Sequence, residues 1–200
     1  MILVLSPHTD DAEIGCGGSL TKWKEQGENI KVIAFSKCEE SIPDGFDWNS
    51  TEREFIKNME LLDVEYAVKS FRVRNFPMYR QQILEEMRKE SPDLVVCPSL
   101  NDIHQDHKVV VEEAVRAFRK CSIISYDLPY STIGFNGNMY EELDQYHIKN
   151  KHIMLSNYKS QVAKFPEYFG KEYVYARARV SGMKIKTDYA EQFEIIRWIK

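Results

Sequence analysis

A histidine and two aspartates stand close together near the start of the chain, in the stretch SPHTDDAEIGCGG, directly after the apolar run MILVL. His8, Asp10 and Asp11 are ionisable groups at the end of what reads as a buried strand, where removing them from water is costly unless something compensates them. Imidazole and carboxylate groups are both good ligands for a divalent metal ion such as zinc. The stretch therefore predicts part of a metal site, whose missing ligand must come from elsewhere in the chain.

A second polar cluster follows the apolar run DLVVCPS, in the stretch SLNDIHQDHKVV. It contains His104, Asp106 and His107, with Asp102 beside them. In a parallel α/β sheet, functional side chains gather at the carboxyl ends of the strands. If the strands that precede the two clusters are neighbours, both clusters open into one crevice.

Zinc suits this set of side chains, because catalytic zinc sites take three protein ligands and leave the fourth position for water. His8 and Asp11 would bind the ion from one turn, and His107 would complete the triad from the second loop. Asp10 would then stand beside the water as a base, and His104 would act on the far side of the substrate. We expect one zinc ion per chain, with ferrous iron as the alternative metal.

Each cluster also has a purely structural interpretation. Aspartates before a helix serve as N-caps and as partners of the helix dipole, and a histidine at a helix start is often a capping or core group. Gly15, Gly17 and Gly18 lack the G-x-G-x-x-G spacing of a dinucleotide site, so we expect them to allow close packing of the first helix on the sheet. The occurrence of polar clusters at two strand ends favours the metal site.

Strands and helices alternate along the chain, which predicts an α/β fold with a mostly parallel sheet in a single domain, residues 1–200. Thr51 and Glu54 have the spacing of a capping box at the start of the second helix. The predicted strands cover 2–6, 29–36, 65–71, 93–99 and 122–127, and the predicted helices lie within 17–27, 50–63, 79–90 and 107–120.

Beyond Pro129 the pattern changes. Residues 130–145 are rich in glycine and asparagine and are interpreted as a loop that contacts the substrate as a lid. The stretch NKHIMLSNYKSQVAK predicts a helix capped by Asn150. EYVYARARV, residues 172–180, alternates like a strand and is equally compatible with a helix.

The composition excludes several classes of protein. Of the 200 residues, 43% are hydrophobic and 29% charged, and the net charge of −4 provides no field that would attract nucleic acid or an anionic membrane. No apolar stretch approaches the roughly 20 residues of a membrane span, and the amino-terminal run lacks the basic region of a signal peptide. The four scattered cysteines are expected to be reduced. We therefore expect a cytoplasmic protein whose partner is a small molecule. The composition is also compatible with a homo-oligomer.

With both clusters in view, the sequence resembles the PIG-L/LmbE family of zinc-dependent N-deacetylases. PHTDDAEIGCGG matches the family pattern P-H-x-D-D followed by glycines, and DIHQDH matches D-x-H-x-D-H. REFIKNMELLDV is similar to the R-x-x-E helix of the family, and YKSQ and YAEQF are weaker signals near the carboxyl end. The sequence departs from the pattern at Thr9, where many members have proline, and at Ala12, where they often have glutamate.

The resemblance implies a Rossmann-like three-layer sandwich and an N-acetylglucosamine-type amino sugar, or a conjugate of one, as substrate. Asp10 matches the general base of the family. His104 matches the group that stabilises the oxyanion, in its protonated form, and Asp106 would orient it. The zinc ligands match His8, Asp11 and His107.

Three other functions compete with deacetylation. A metal-dependent phosphoesterase could use the same side chains, and would favour a second metal about 4 Å away. A nucleotide-binding module without catalysis would leave His104 and His107 unexplained. A structural zinc site usually closes with four protein ligands, often cysteines, and the cysteines here are not placed for that.

Overall fold

The computed structural model describes residues 1–199 and contains a seven-stranded sheet with helices on both faces. The strands are β1 (Ile2–Ser6), β2 (Ile30–Ala34), β3 (Glu65–Val68), β4 (Leu94–Pro98), β5 (Ser122–Tyr126), β6 (Met139–Leu143) and β7 (Tyr189–Arg197). The α-helices are α1 (Asp11–Glu25), α2 (Ser50–Leu62), α3 (Arg80–Met87), α4 (Gln105–Ala117), α5 (Gln145–Asn157), α6 (Lys159–Lys164), α7 (Pro166–Phe169) and α8 (Lys171–Ile185).

The strand order in the sheet is β3-β2-β1-β4-β5-β7-β6. The first five strands are parallel, and β7 runs antiparallel to both β5 and β6. The predicted α/β fold with a mostly parallel sheet is therefore confirmed. The chain winds outwards in opposite directions from β1 and β4, and such a switch point is where open α/β sheets bind ligands. Because β1 and β4 are neighbours, the two polar clusters open at the same edge.

The apolar run at the start of the chain is buried on both of its faces. Ile2 and Val4 pack into one core, with α1, α2, α5 and α8, whereas Leu3 and Leu5 pack into the other, with α3 and α4. Successive side chains of a strand point to opposite faces of a sheet, so a central parallel strand covered on both sides reads as a continuous hydrophobic run. This arrangement gives the three layers of the sandwich.

The sequence predicted a loop over residues 130–145. Within that range the structure has β6 at Met139–Leu143, so the prediction is wrong for those residues. This strand lies at the edge of the sheet and pairs only with β7. Its middle residues include Glu141 and Glu142, and most of its side chains are partly exposed. An edge strand of this composition shows no hydrophobic alternation, and the sequence pattern therefore missed it.

The structure defines the start of one helix in the carboxyl-terminal half and shows that a second segment there is helical. Helix α5 begins at Gln145, and its cap is Asp144, whose carboxylate accepts the backbone N–H groups of Tyr146 and His147; the predicted cap at Asn150 is wrong. Residues 172–180 are helical, within α8. The buried positions of α8 recur at helical spacing, at Val174, Ala178, Ser181 and Gly182.

The predicted capping box of α2 does not form. The Thr51 hydroxyl donates to the carbonyl of Lys37 (2.5 Å), and the Glu54 carboxylate accepts the backbone N–H of Ser160 (3.0 Å) and its hydroxyl (2.5 Å). The N-cap is Asn49, without a side-chain capping bond. Contacts with distant segments have replaced the local ones, since these side chains tie α2 to its neighbours.

A buried carboxylate joins β7 to the glycine-rich segment of α1. Glu191 accepts the backbone N–H groups of Gly18 (3.1 Å) and Ser19 (2.6 Å), and it pairs with the ammonium group of Lys151 at 2.5 Å. Buried charges are retained only when they are paired and hydrogen-bonded. The YAEQF segment, residues 189–193, therefore has a structural role.

No helix within residues 1–199 is long and apolar enough to cross a bilayer. The four cysteines are free and buried, in agreement with the absence of a disulfide framework. They are Cys16, Cys38, Cys97 and Cys121.

Gly15 tests the close approach of α1 to the sheet. A Cβ atom at Gly15 would lie 2.4 Å from Cδ2 of Tyr126, whose hydroxyl is anchored to the carbonyl of Leu5 at 2.8 Å. We expect Gly15→Ala to lower the free energy of unfolding by about 2 kcal/mol, the usual cost of overpacking, as measured by urea titration. Gly17→Ala is the control, because its nearest contacts, Cγ of Lys151 at 3.1 Å and Cε of Met154 at 3.3 Å, are less close. Equal losses in the two variants would contradict this packing.

Candidate metal centre and active site

The segments that follow β1 and β4, including the first turns of α1 and α4, bring three predicted ligands into contact. Nδ1 of His8 lies 3.1 Å from Oδ2 of Asp11 and 3.1 Å from Nε2 of His107, and the last two atoms are 3.3 Å apart. Ligands at roughly 2.0–2.1 Å from a tetrahedral zinc ion lie about 3.3 Å from one another. Two imidazoles and one carboxylate also form a chemically suitable donor set. The residues present therefore fit one divalent ion.

Three histidines form an overlapping cluster. Ring nitrogens of His8, His104 and His107 lie within 4.8 Å of one another, close enough to hold a metal ion. The rings of His104 and His107 are stacked, with centroids 4.3 Å apart. The two possible ligand sets share His8 and His107, and they differ in whether Asp11 or His104 is the third member.

Two carboxylates orient the shared histidines. Oδ2 of Asp102 lies 2.8 Å from Nδ1 of His107, and Oδ2 of Asp106 lies 3.1 Å from Nε2 of His8. A carboxylate can only accept a hydrogen bond, so each histidine carries a proton on the nitrogen that faces it. The other nitrogen of each ring is directed at the other ring. Carboxylates of this kind commonly fix metal-binding histidines.

The electrostatics of the cluster favour positive charge. Burial by itself lowers the pKa of His8, but the charge of Asp11 and the hydrogen bond to Asp106 raise it well above 6.5. The pKa of His107 is raised in the same way, against its burial, by Asp11 and Asp102. The buried carboxylates thus stabilise positive charge on the two imidazoles.

The structure changes the expected role of Asp106. Its carboxylate accepts a hydrogen bond from His8 and also accepts the backbone N–H groups of Arg74 (2.6 Å) and Phe76 (3.2 Å). Its only hydrogen bond with His104 uses the Asp106 backbone N–H, which donates to Nδ1 at 3.2 Å. The expectation that the carboxylate orients His104 is therefore wrong.

His104 is a neutral imidazole in this arrangement. A backbone N–H can only donate, so the Nδ1 that accepts it from Asp106 carries no proton, and the ring proton lies on Nε2. Burial and the positive charges of His107 and His8 lower the pKa of His104 to about 4. The imidazolium expected from the sequence is thus replaced by a neutral hydrogen-bond donor that lines the cavity.

Asp10 lines the same cavity. Its carboxylate makes no hydrogen bond with another residue in the described part of the chain. Burial, followed by the charge of Asp11, raises the pKa of Asp10 to about 7. A carboxylate with a pKa near neutrality is well matched to proton transfer.

Aromatic side chains form one wall of the cavity. Tyr130 and Tyr168 have ring centroids 5.2 Å apart, and Phe165 follows at 6.1 Å from Tyr168. The hydroxyl of Tyr130 donates to Oδ1 of Asp11 at 2.9 Å. The predicted lid thus contributes Tyr130 to the site, although its carboxyl-terminal part is β6.

Sequence reasoning missed several residues of this site. Asp102 was noted beside the second cluster without a role, although the DIHQDH motif contains it. Tyr130 gave no signal, because its contact with Asp11 spans most of the chain. Tyr158 lies in a stretch predicted as a helix and received no role, yet its buried hydroxyl lies 2.5 Å from the carbonyl oxygen of Thr9, next to Asp10.

Glu13 lies under this loop as a buried, neutral carboxylic acid. The Tyr158 hydroxyl lies 2.7 Å from Oε1 of Glu13 as well as 2.5 Å from the carbonyl of Thr9. The hydroxyl donates its single proton to one of these two oxygens, and Nδ2–H of Asn58 donates to the same Oε1 at 3.0 Å. Oε2 of Glu13 is buried without a partner. Burial raises the pKa of Glu13 from 4.5 to about 8.

Fold and site together define the class of protein: a Rossmann-like α/β protein with a histidine and carboxylate centre at the switch point of its sheet. Residues 3–118 match the PIG-L family, described as GlcNAc-PI de-N-acetylase. The match covers more than half of the chain and includes both polar clusters. The chain belongs to the PIG-L family, and it is a hydrolase that acts on amides.

Individual proteins are similar to this chain at low sequence identity. The deacetylase YaiS of Escherichia coli, itself uncharacterized, is 22% identical over 167 residues, which cover 80% of this chain and 90% of YaiS. Among solved structures, the conserved protein TT1542 of Thermus thermophilus has a TM-score of 0.82 at 24% identity, covering 100% of this chain and 96% of that one.

Two further solved structures have different activities in their descriptions. N,N'-diacetylchitobiose deacetylase of Pyrococcus horikoshii has a TM-score of 0.76 at 19% identity, with 98% of this chain and 83% of that chain covered. GalB, the 4-carboxy-2-hydroxymuconate hydratase of Pseudomonas putida, has a TM-score of 0.80 at 16% identity, with 100% and 97% covered. These likenesses show the fold, and the reaction must be argued from the site.

The neutral state of Glu13 can be tested by the pH dependence of stability. The pKa of Glu13 is higher in the folded chain, about 8, than in the unfolded chain, about 4.5. The contribution of the protonated Glu13 to the free energy of unfolding is therefore fully present below about pH 4.5 and is lost as the pH rises towards 8. The variant Glu13→Gln cannot ionise at this position, so its stability lacks this pH-dependent contribution. In urea titrations, the stability of wild type relative to Glu13→Gln should fall by on the order of 2 kcal/mol between pH 5 and pH 8. Parallel pH profiles would contradict a neutral Glu13.

Proposed function

We propose that the protein hydrolyses the N-acetyl amide of an N-acetylglucosamine-type amino sugar, or of a conjugate of one, to acetate and a free amine. The observation that carries the proposal is the position of Asp10, a carboxylate with a pKa of about 7 and no hydrogen bond to another described residue, beside a three-ligand centre. Membership of a deacetylase family supports the amide as the bond that is cut.

His8, Asp11 and His107 are the residues that would hold the metal ion, with zinc as the expected ion and ferrous iron as the alternative. When bound, such an ion acidifies water and polarises a carbonyl group. One ion per chain is proposed, since the spare carboxylates Asp102 and Asp106 are both engaged in orienting histidines. This arrangement favours deacetylation over a phosphoesterase that needs two metals.

The Asp10 carboxylate is the general base. It takes a proton from water while the water oxygen forms a bond to the amide carbonyl carbon. The same carboxyl group then gives the proton to the amide nitrogen as the C–N bond breaks, so that acetate and the amine leave. One residue can act in both steps because its pKa is close to neutrality.

His104 is the proposed oxyanion donor. His104 lines the cavity, and its Nε2–H would donate to the carbonyl oxygen as negative charge develops there. A neutral imidazole with a lowered pKa has the same electrophilic role in triosephosphate isomerase. Donors of this kind contribute roughly 3–4 kcal/mol to catalysis.

The aromatic wall supports a sugar as the substrate. Tyr130 and Tyr168 combine an apolar ring face with a polar hydroxyl, and a sugar ring likewise presents C–H faces and hydroxyl groups. The proposed compartment is the cytoplasm, where free cysteines such as the four found here stay reduced.

Metal removal tests the reaction directly. We expect zinc-loaded protein to release acetate from at least one member of a panel of N-acetylated amino sugars and their conjugates, and the protein treated with a chelator to release none until zinc or ferrous iron is returned. A parallel assay with phosphate esters serves as the control for the competing reaction. Phosphate release without acetate release would refute deacetylation.

Variants of Asp10 and His107 separate proton transfer from metal binding. Asp10→Asn should keep its zinc, measured by elemental analysis, and should lose turnover by about 100-fold or more, because the base is absent. His107→Ala should lose both zinc and turnover. Unchanged turnover in Asp10→Asn would show that Asp10 is not the base. Full zinc occupancy in His107→Ala would refute the role of His107 as a ligand.

A further inference from the structure

Tyr130 connects the aromatic wall of the cavity to one of the proposed metal ligands. Its ring packs against Tyr168, with the centroids 5.2 Å apart, and lines the cavity. Its hydroxyl donates to Oδ1 of Asp11 at 2.9 Å. Tyr130 is 41% exposed, whereas Asp11 is completely buried. The proposed reaction gives this hydroxyl no role, although it reaches from the cavity surface to a buried ligand.

The two oxygens of the Asp11 carboxylate have different surroundings. Oδ2 accepts the backbone N–H of His8 at 2.9 Å and lies 3.1 Å from Nδ1 of His8 and 3.3 Å from Nε2 of His107. The hydrogen bond from Tyr130 is the one that Oδ1 accepts within residues 1–199. The terminal torsion of an aspartate has a broad distribution, so these hydrogen bonds, and not the rotamer preference, fix the orientation of the carboxylate.

The turn that carries Tyr130, residues 128–132, also contacts the support of a second ligand. The buried hydroxyl of Ser131 donates to Oδ2 of Asp102 at 2.9 Å. The same oxygen lies 2.8 Å from Nδ1 of His107. Adjacent residues of one turn therefore contact Asp11 directly and His107 through Asp102. This double attachment holds the Tyr130 hydroxyl in place beside the proposed metal centre.

We propose that Tyr130 is a positioning residue of the metal centre, whose hydroxyl holds Oδ1 of Asp11 so that Oδ2 alone is directed at the two histidine nitrogens. The inference rests on the proposed function for the presence of the ion. Hydrogen-bond partners orient metal ligands, and their loss typically costs about 10–100-fold in metal affinity or activity. A carboxylate that binds through one oxygen also leaves room for the water that a catalytic zinc site requires.

Removal of a single hydroxyl tests the inference. Tyr130→Phe deletes the hydrogen bond to Asp11 and keeps the ring in the aromatic wall. We expect the dissociation constant for zinc, measured by competition with a chromophoric chelator, to rise by about tenfold or more. Tyr168→Phe is the matched control, because Tyr168 lies in the same wall and its hydroxyl makes no hydrogen bond within residues 1–199. This control should bind zinc as tightly as wild type.

A second measurement distinguishes positioning of Asp11 from a general effect on the fold. In crystal structures of the zinc-loaded proteins, we expect wild type to bind zinc through Oδ2 of Asp11 alone. In Tyr130→Phe the Asp11 carboxylate should be rotated, with Oδ1 turned towards the ion. Thermal unfolding of the metal-free proteins establishes that each variant is folded.

The outcomes separate this inference from the proposed function. Equal zinc affinity in Tyr130→Phe and wild type, equal weakening in Tyr168→Phe, or an unrotated Asp11 carboxylate in Tyr130→Phe overturns the inference, while acetate release by wild type leaves the proposed function intact. Zinc binding that is weakened in Tyr130→Phe alone, with a rotated Asp11, upholds the positioning role. If wild type then releases no acetate from any sugar, the proposed deacetylation is refuted and the positioning role stands.

Discussion

The structure depends on the convergence of two ring nitrogens and one carboxylate oxygen at a single point. Nδ1 of His8 and Nε2 of His107 face each other at 3.1 Å, and Oδ2 of Asp11 lies within 3.3 Å of both. Two imidazole nitrogens and a carboxylate oxygen at this spacing form a donor set that fits one divalent cation. The neighbouring β1 and β4, the loops that follow them and the carboxylates behind the histidines all serve to hold this arrangement.

The same carboxylates couple the metal centre to the substrate cavity. Asp106 accepts hydrogen bonds from His8 and from the backbone of Arg74. One side chain therefore fixes both the orientation of His8, a proposed metal ligand, and the position of Arg74, which lines the cavity. Tyr130 joins the aromatic wall to Asp11 in a similar way. Hydrogen bonds therefore connect the proposed metal ligands His8 and Asp11 to two residues that line the cavity.

The sequence predicted the parts of the molecule that local pattern determines. Buried parallel strands read as apolar runs, and His8 and His107 stand out because ionisable groups at strand ends need compensation. The partners of Asp106 were not predictable, since its contacts with His8 and Arg74 join segments far apart in the chain. Strand β6 was not predicted either, because an edge strand with two adjacent glutamates has almost no hydrophobic pattern.

The most direct test of this account is a crystal structure of the zinc-loaded protein, with diffraction data collected on both sides of the zinc absorption edge. We expect one anomalous peak per chain, bonded to Nδ1 of His8, Oδ2 of Asp11 and Nε2 of His107, with Nε2 of His104 outside bonding distance. A peak bonded to the three histidines without Asp11, two adjacent peaks, or no peak between the two loops would contradict it.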